Sequence, residues 1–359
     1  MKKIVSVVGA RPQFIKCAAV SPEIRKEFNE VLVHTGQHYD FKMSDSFFNE
    51  LNIPVPDYNL GVGSDRHAVQ MAKIMLAFDQ VIEKEKPDAV IVYGDTNSTA
   101  ATAIVASKEN IPVIHIEAGL REFNKHVPEE INKLLTDSIA ELYFSPTETG
   151  VTNLRKEGKT KNVFNYGDVG IDLIKRYETQ IKNNADILKK YNLKKGQYYF
   201  VTFHRAANTD NVTKLRNIVE VLSSLDLPVL FPIHPRTQKA IQQNNLEALL
   251  QKENIHLIDP IGFIDTQTFL SNAKMTLTDS GGIIKEAYFH KIPGIILDTQ
   301  SEWVETIDEG WNYLAGPDKQ KIMNRIKNYK TPKIHTNCLG DGTSSIKIVQ
   351  QIKKYLYEQ

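Results

Sequence analysis

Short apolar runs alternate with amphipathic helical patterns along this chain, and this alternation strongly limits the folds that it can adopt. In the first half, apolar runs at residues 4–8, 89–93 and 113–116 alternate with helical patterns such as 14–28 and 98–108. Such alternation is typical of right-handed βαβ units, which build a parallel sheet covered by helices on both faces. Ligands of these folds bind beyond the carboxyl ends of the strands, so the residues that follow each apolar run are the candidates for chemistry.

A second alternating set begins near residue 198 and gives the chain two similar α/β halves. The stretch from residue 148 to 191 is more polar, and we place the domain boundary within it. The sequence thus predicts an N-terminal domain over residues 1–169, a C-terminal domain over 170–344 and a closing amphipathic helix within 345–359. Further helices are predicted over residues 43–51 and 236–250.

The overall composition disfavours several classes of partner. With 359 residues, of which 41% are hydrophobic, the chain can bury two cores of ordinary size. Its formal net charge of +1 gives no general basic field, which disfavours nucleic acid and anionic membranes. The two cysteines, Cys17 and Cys338, are too few for a disulfide framework, and no apolar run approaches the length of a membrane span. We therefore expect a soluble, cytoplasmic protein without nucleic-acid or membrane partners.

A glycine-containing turn in the second half indicates an anion site. A strand pattern at residues 275–278 ends at Asp279, and Ser280, Gly281 and Gly282 precede an amphipathic helix. Glycines let an anion approach the backbone N–H groups at a helix start, where the helix dipole is positive. An ordinary strand-to-helix turn is the structural alternative.

Carboxylates follow apolar runs of the first half. Asp95 and Glu117 each follow such a run, and Glu129 and Glu130 lie in the first turn of a predicted helix. Clustered carboxylates raise one another's pKa and can abstract or donate protons. The structural alternative makes Asp95 a turn or cap residue and gives one of the two adjacent glutamates a capping role.

Further polar residues follow other strands and suit a nucleotide diphosphate. Cations and histidines can hold phosphates, and a carboxylate just after the double glycine can accept a ribose hydroxyl pair. There are structural alternatives. The cations can be solvated surface residues, a histidine can bond to buried backbone groups, and the carboxylate can stabilise the helix dipole. The residues are Arg11 and Lys16 in the first half, and His204, Arg205, His234 and Glu286 in the second.

The sequence offers no convincing metal or dinucleotide motif. His34 and His38 have a spacing that suggests a metal site, but their segment lacks a third ligand at metal spacing. The segment GVGSDRH at residues 61–67 lacks the third glycine of a dinucleotide fingerprint. We therefore expect no metal, nicotinamide or flavin.

Several motifs together resemble those of the non-hydrolysing UDP-N-acetylglucosamine 2-epimerases. They run in order over nearly the whole chain as GARPQFIK, YGDTNST, HIEAGLR, PEEINK, SPTE, FHRAAN, IHPRT and DSGGIIKEA. The resemblance implies an α/β fold of two Rossmann-like domains facing across a cleft, as in GT-B glycosyltransferases, with the last helix crossing back to the first domain. It also implies a homodimer that binds a UDP-sugar and uses no cofactor.

The resemblance also implies a reaction and a set of roles. The family removes the C2 proton of the sugar while UDP leaves C1, and UDP then returns to a bound 2-acetamidoglucal. By resemblance, Asp95, Glu117 and Glu129 occupy the catalytic carboxylate positions. His204, the fourth expected catalytic residue, stands where the family has a histidine that contacts the diphosphate. The substrate-binding positions are expected at Arg11, Lys16 and Lys133, at Ser280, Gly281 and Gly282 for the diphosphate, and at Glu286 for the ribose.

Five positions depart from the family pattern. Ala207 stands where an acidic residue is usual, Ile284 and Lys285 replace a glutamine and a glutamate, and Asp298 replaces an arginine. Tyr39 replaces an arginine that helps to hold an activating second substrate molecule in bacterial members. Other segments are closer to the branch that acts on UDP-2,3-diacetamido-2,3-dideoxyglucuronate. The sugar therefore stays open, and a hydrolysing epimerase, a GT-B glycosyltransferase and a silent nucleotide-sugar sensor are the alternative functions.

Overall fold

The computed structural model describes residues 1–36 and 50–358. The chain forms two compact units, Met1–Arg176 with Cys338–Gln359, and Tyr177–Asn337. The predicted helix at 43–51 lies, up to residue 49, outside the described residues, as do His38 and Tyr39. No helix within the described ranges has the length and apolar character that crossing a membrane requires.

The first unit contains a seven-stranded parallel sheet with the order β3-β2-β1-β4-β5-β6-β7. This is the doubly wound order, in which the chain starts at the centre of the sheet and builds outward in both directions. The central strands read as continuous apolar runs because helices cover both of their faces. The strands are β1 Lys3–Val8, β2 Asn29–His34, β3 Tyr58–Asn59, β4 Ala89–Tyr93, β5 Val113–Ile116, β6 Leu142–Ser145 and β7 Val163–Asn165.

Helices follow most of these strands, and their starts have recognisable signals. Pro12 occupies the first turn of the first helix, where its missing N–H costs nothing. Thr96 accepts a hydrogen bond from the backbone N–H of Thr99 and caps the helix after β4, as the sequence predicts. Among the described residues before the division, the helices of this unit are Arg11–Glu27, His67–Glu85, Asn97–Lys108, Pro128–Ile139, Glu148–Lys156 and Val169–Arg176.

The second unit repeats the plan with six parallel strands in the order β10-β9-β8-β11-β12-β13. Its strands are β8 Tyr199–Thr202, β9 Val229–Pro232, β10 Ile255–Ile258, β11 Met275–Thr278, β12 Gly294–Ile296 and β13 Asn312–Leu314. Its helices are Glu178–Asn183, Ile187–Lys190, Ala206–Thr209, Val212–Ser223, Pro235–Gln243, Phe263–Asn272, Gly281–Phe289, Val304–Asp308 and Lys319–Asn328, with short 3-10 turns at Asn184–Asp186 and Glu247–Leu250.

Each sheet carries its own hydrophobic core. Val5 and Val90 lie in the core of the first unit, and Phe203 and Phe231 stack in the core of the second at a ring-centroid distance of 5.3 Å. Burial of such side chains is the main favourable contribution to folding. Both sheets are therefore rigid supports for the loops at their strand ends.

The last helix, Ser344–Tyr357, packs against the first helix of the first unit. Lys353 pairs with Glu27 at 2.6 Å, and the carboxylate of Asp172 accepts hydrogen bonds from the backbone N–H groups of Ser344 and Ser345. Burial raises the pKa of Asp172 above its ordinary value despite these bonds. The chain end is thus fixed to the first unit.

The helix Val169–Arg176 also packs on the first helix, and the guanidinium of Arg176 donates to the carbonyl oxygens of Ala18 and Ala19. The boundary proposed from the sequence, after residue 169, would assign this helix to the second domain. In the structure it is part of the first compact unit, whose first segment ends at Arg176.

Some predicted elements are shorter than expected. The helix predicted over 236–250 ends at Gln243, because Asn245 adopts a left-handed backbone with φ of 53°, and a separate 3-10 turn follows. The single long helix was therefore a wrong prediction. The short strands β3 and β13 and the helix Lys319–Asn328 were not predicted, because their apolar patterns are short or weak.

Candidate functional site

Two pairs of opposite charges lie where β1, β4 and β5 end in the first unit. Lys16 forms an ion pair with Glu117, and these side chains are only 9% and 12% exposed. Lys133 lies 3.6 Å from the carboxylate of Asp95, which is 34% exposed. We call Lys16, Asp95, Glu117 and Lys133 the carboxylate cluster. The structure thus brings these four residues together at the carboxyl edge of one sheet.

Gly94 joins the two pairs of the carboxylate cluster. It directly precedes Asp95 and has φ of +62°, which glycine adopts without strain. A Cβ at this position would lie 3.4 Å from Lys16 Nζ and 3.9 Å from Glu117 Oε2. A side chain at this position would make ordinary contacts with the ion pair, so it is the positive φ that favours glycine in the loop that carries Asp95.

Glu117 has an unusual backbone for a residue with a side chain. Its φ is +76°, a region that residues other than glycine rarely occupy. The backbone N–H groups of Glu117 and Ala118 both donate to the carbonyl oxygen of Phe144, at 2.9 and 3.1 Å. The neighbouring strand β6 therefore holds Glu117 in this conformation, which directs its carboxylate toward Lys16.

The two glutamates of the helix Pro128–Ile139 differ in their environment. Glu129 is exposed and lies four residues before Lys133, so both side chains project from the same face. Glu130 is buried and accepts hydrogen bonds from the backbone N–H groups of Glu122 and Phe123, at 2.9 and 3.0 Å. The structural role expected for one of the pair thus belongs to Glu130, which holds a loop and not its own helix start.

In the second unit, β8, β9 and β11 end side by side. The rings of His204 and His234 stack with centroids 5.0 Å apart, and His234 also caps the helix Pro235–Gln243. Ser280 precedes the helix Gly281–Phe289, and Ser280, Gly281 and Gly282 are all partly exposed. We call His204, Arg205, His234 and residues 280–282 the histidine–glycine cluster.

Asp279 organises the histidine–glycine cluster. Its side chain is fully buried and accepts hydrogen bonds from the backbone N–H groups of His204 and Arg205, each at 2.9 Å, and from the side chain of Asn208 at 2.9 Å. The loop after β8 is therefore fastened to the loop after β11. The sequence shows Asp279 only as the end of a strand, so this role was missed.

Comparisons with known proteins identify the family. A family model described as UDP-N-acetylglucosamine 2-epimerase matches residues 22–353. A UDP-N-acetylglucosamine 2-epimerase homolog of Methanococcus maripaludis is 46% identical over 354 residues, which cover 98% of this chain and 99% of the relative. The chain belongs to the UDP-N-acetylglucosamine 2-epimerase family.

Two further members extend this comparison. The UDP-2,3-diacetamido-2,3-dideoxy-D-glucuronate 2-epimerase of Pseudomonas aeruginosa is 38% identical, over 98% of this chain and 99% of its own length. The crystal structure of Methanocaldococcus jannaschii UDP-GlcNAc 2-epimerase in complex with UDP-GlcNAc and UDP matches with a TM-score of 0.90, 38% identity and coverage of 98% and 99% of the two chains. The predicted fold class, two Rossmann-like domains of the GT-B type, is confirmed.

Two positions at which this epimerase-family chain departs from the pattern have partners in the structure. Asp298, which replaces an arginine, pairs with Arg205 at 3.0 Å. Lys285, which replaces a glutamate, is buried with its ammonium group 5.0 Å from the ring centre of Trp303. Ile284 is buried and Ala207 is exposed. Both altered charges therefore contact other side chains of the second unit.

The family motifs also contain supporting residues that sequence reasoning missed. Gln13 accepts hydrogen bonds from the backbone N–H groups of Gly9 and Ala10, and its amide donates to the carbonyl oxygen of Tyr93 at 2.9 Å. It thereby ties the first loop to the end of β4. Its position between Arg11 and Lys16 was the available signal. Arg11 itself begins the helix and is exposed.

A buried hydrogen-bond network holds the loop that carries Asp95. The ring of His115 lies between the carboxylate of Asp137 and the carbonyl oxygen of Gly94, with N–O distances of 2.6 and 2.8 Å. Arg121 pairs with Asp137 at 2.7 Å. Burial acts to raise the pKa of Asp137, but His115 and Arg121 outweigh it and hold that pKa below its ordinary value. In the ranges that the structure describes, no group of three or more His, Cys, Asp or Glu side chains is arranged to hold a metal ion.

Proposed function

We propose that this protein catalyses the 2-epimerisation of a UDP-2-acetamido sugar by eliminating and re-adding UDP. The observation that carries the proposal is the carboxylate cluster, in which Asp95 and Glu117 follow adjacent strands with a cation beside each. Relatives that span this whole chain are named as 2-epimerases of UDP-N-acetylglucosamine and of its diacetamido-glucuronate analogue. Both names describe inversion at C2 of a UDP-2-acetamido sugar.

The reaction needs help at two atoms. A base takes the proton from C2, the C1–O bond breaks, its electron pair leaves with UDP, and a C1=C2 double bond forms. In the second step of the reaction, UDP attacks C1 again and C2 receives a proton on the opposite face. A protein that catalyses this sequence must supply acid and base groups at C2 and must stabilise the diphosphate that leaves C1.

The carboxylates of the first unit fit the proton transfers. Glu117 is mostly buried and paired with Lys16, whereas Asp95 is more exposed and lies near Lys133. Carboxylates in different environments are suited to opposite acid and base roles. We assign these acid and base roles to Asp95, Glu117 and Glu129 together.

The histidine–glycine cluster fits the leaving group. The helix Gly281–Phe289 begins with backbone N–H groups that point at any anion bound there, and its dipole favours negative charge. His204, Arg205 and His234 lie at the neighbouring strand ends and supply further donors. We propose that this cluster binds the diphosphate, that Glu286 accepts the ribose hydroxyls, and that Arg11, Lys16 and Lys133 add positive charge for the substrate.

The test is to incubate the protein in heavy water with UDP-N-acetylglucosamine and, separately, with its 2,3-diacetamido-glucuronate analogue, and to follow both by proton NMR. The proposal predicts that one of the two sugars gains a new C2 epimer and exchanges its C2 proton for deuterium. Folded protein that leaves both sugars unchanged would refute it. Accumulation of free UDP in step with turnover would instead indicate the hydrolysing reaction.

We further propose that the chain forms a homodimer through the helices of its first unit. Leu76 is 73% exposed on the helix His67–Glu85, and Ile131 and Leu135 are 38% and 39% exposed on the helix Pro128–Ile139. The latter two are four residues apart and so share one helix face. Exposed apolar side chains grouped on a helix surface favour association with a second copy.

A further inference from the structure

The carboxylate of Glu286 is supported by two residues outside the family motifs. The amide nitrogen of Gln267 donates to Glu286 Oε2 at 2.7 Å, and Gln267 Oε1 lies 2.9 Å from His290 Nε2. Gln267 belongs to the helix Phe263–Asn272 and is completely buried. His290 ends the helix Gly281–Phe289 that carries Glu286. The three side chains therefore form a chain of hydrogen bonds within the second unit.

Hydrogen-bond chemistry fixes the direction of this chain. An ionised carboxylate only accepts hydrogen bonds, so Gln267 must turn its NH₂ group toward Glu286 and its oxygen toward His290. His290 must then donate from Nε2. Burial lowers the pKa of His290 to about 4, so its ring is neutral at physiological pH and carries its proton on Nε2. Rotating the amide by half a turn would place oxygen against oxygen and nitrogen against nitrogen, so one orientation is strongly preferred.

The consequence is a carboxylate with a fixed orientation. Oε2 of Glu286 is bound by Gln267, whereas Oε1 lies 3.7 Å from the position that a Cβ on Gly282 would occupy. Glu286 as a whole is only 8% exposed. An acceptor that is already oriented before the ligand arrives loses less conformational freedom on binding. Glu286 therefore presents one oxygen to the glycine turn in a preorganised way.

We propose that Gln267, held by His290, is a positioning residue that orients Glu286 for the ribose hydroxyls and makes this site select a ribonucleotide over its 2′-deoxy analogue. The inference rests on the proposed function, because it takes the nucleotide of a UDP-sugar as the ligand. It concerns residues 267 and 290, which support the ribose contact without touching the nucleotide.

The test compares dissociation constants for UDP and 2′-deoxy-UDP by isothermal titration calorimetry. A ribose hydroxyl bonded to an oriented carboxylate is expected to give the wild-type protein a preference for UDP of about tenfold or more. In Gln267→Leu the affinity for UDP should fall more than the affinity for 2′-deoxy-UDP, which offers Glu286 only its 3′-hydroxyl, so that the ratio decreases toward one. His290→Phe keeps Gln267 but lets its amide rotate, and should give an intermediate ratio.

Thr268→Val is the matched control, since Thr268 is a fully buried neighbour whose hydroxyl bonds to the carbonyl oxygens of Ile181 and Ile264, away from Glu286. This variant should lose some stability and keep the wild-type ratio. A wild-type ratio in both Gln267→Leu and His290→Phe would overturn the inference while the proposed function stands. Folded wild-type protein that binds neither nucleotide would overturn the proposed function and this inference with it.

Discussion

Glu117 shows how a single residue can hold backbone strain at a candidate catalytic position. A side-chain-bearing residue with φ of +76° costs roughly 1–3 kcal/mol, and that cost persists only where the surroundings enforce it. Here the carbonyl oxygen of Phe144 binds two successive N–H groups, and Lys16 pairs with the carboxylate. The sequence shows that Glu117 follows a strand, but not its φ, because that depends on a neighbouring strand far along the chain.

Replacing the candidate carboxylates should separate catalysis from binding. We expect Asp95→Asn, Glu117→Gln and Glu129→Gln each to lower turnover by a factor of about 10² or more, because each removes a carboxylate proposed to act in proton transfer. Binding of UDP, measured by calorimetry, should change little in all three. The exposed Glu83→Gln on the helix His67–Glu85 is the control and should keep wild-type turnover.

Two of these variants, Glu117→Gln and Asp95→Asn, should differ in stability. Glu117→Gln removes the carboxylate of a mostly buried ion pair, whereas Asp95→Asn affects a more exposed pair. We therefore expect a larger decrease in melting temperature for Glu117→Gln than for Asp95→Asn in thermal denaturation. Near-normal turnover in all three variants would contradict the carboxylate assignment.

His290 predicts a pH dependence of stability. Its pKa of about 4 in the folded chain lies below the ordinary value of 6.5, so the unfolded chain binds more protons between these values. The free energy of unfolding should therefore fall as pH decreases from about 6.5 to 4, by up to about 3 kcal/mol from this residue. Urea denaturation across this range should show a smaller decrease for His290→Phe. Equal slopes would show that His290 is accessible to protons when folded.

At the scale of elements, the candidate chemistry lies in the short loops between strand and helix. The sequence locates these loops because buried strands and amphipathic helices have distinct patterns. The carboxylates, His204 and the double glycine can be predicted as site residues because they lie in these loops or at the helix starts that follow. Their supports do not follow, since Gln13, His115 and Asp279 act through contacts that depend on the order of strands in the sheet. A single sequence contains no direct record of that order.

The glycine turn gives an element-level prediction. A Cβ at Gly282 would make only an ordinary contact with Glu286 Oε1, and Gly282 does not have a positive φ, so a larger residue should fold. We expect Gly282→Val to weaken UDP binding by about tenfold or more, because its side chain would occupy the space above the helix start. Calorimetry with UDP measures this effect. Unchanged affinity in Gly282→Val would show that the turn does not hold the diphosphate.

At the scale of the whole molecule, the two parallel sheets and the return of the last helix follow from the alternation of patterns and from the family resemblance. The boundary at Arg176 does not follow from the sequence. Arg176 is fixed to the first unit by hydrogen bonds to the carbonyl oxygens of Ala18 and Ala19, which no local pattern reveals. The shortened helix that ends at Gln243 was missed for the opposite reason, since one left-handed asparagine interrupts an otherwise suitable pattern.

The proposed dimer predicts a change in mass. We expect the wild-type chain to elute as a dimer in size-exclusion chromatography with light scattering, and the double variant Ile131→Asp with Leu135→Asp to elute as a monomer, because charges replace apolar contacts at the interface. Val212→Asp, at a somewhat more exposed apolar position of the second unit, is the control and should remain dimeric. A monomeric wild-type chain would contradict the proposal.

The most direct test of the central claim follows the C1–O bond. The preferred UDP-sugar is prepared with ¹⁸O in the bridge between C1 and phosphorus, incubated with the protein, and followed by ³¹P NMR. Elimination and re-addition of UDP predict that the label moves from the bridge to the non-bridging oxygens of the β-phosphate while C2 gains deuterium from heavy water. Epimerisation with deuterium at C2 and the label still in the bridge would contradict the account, since UDP would never have left C1.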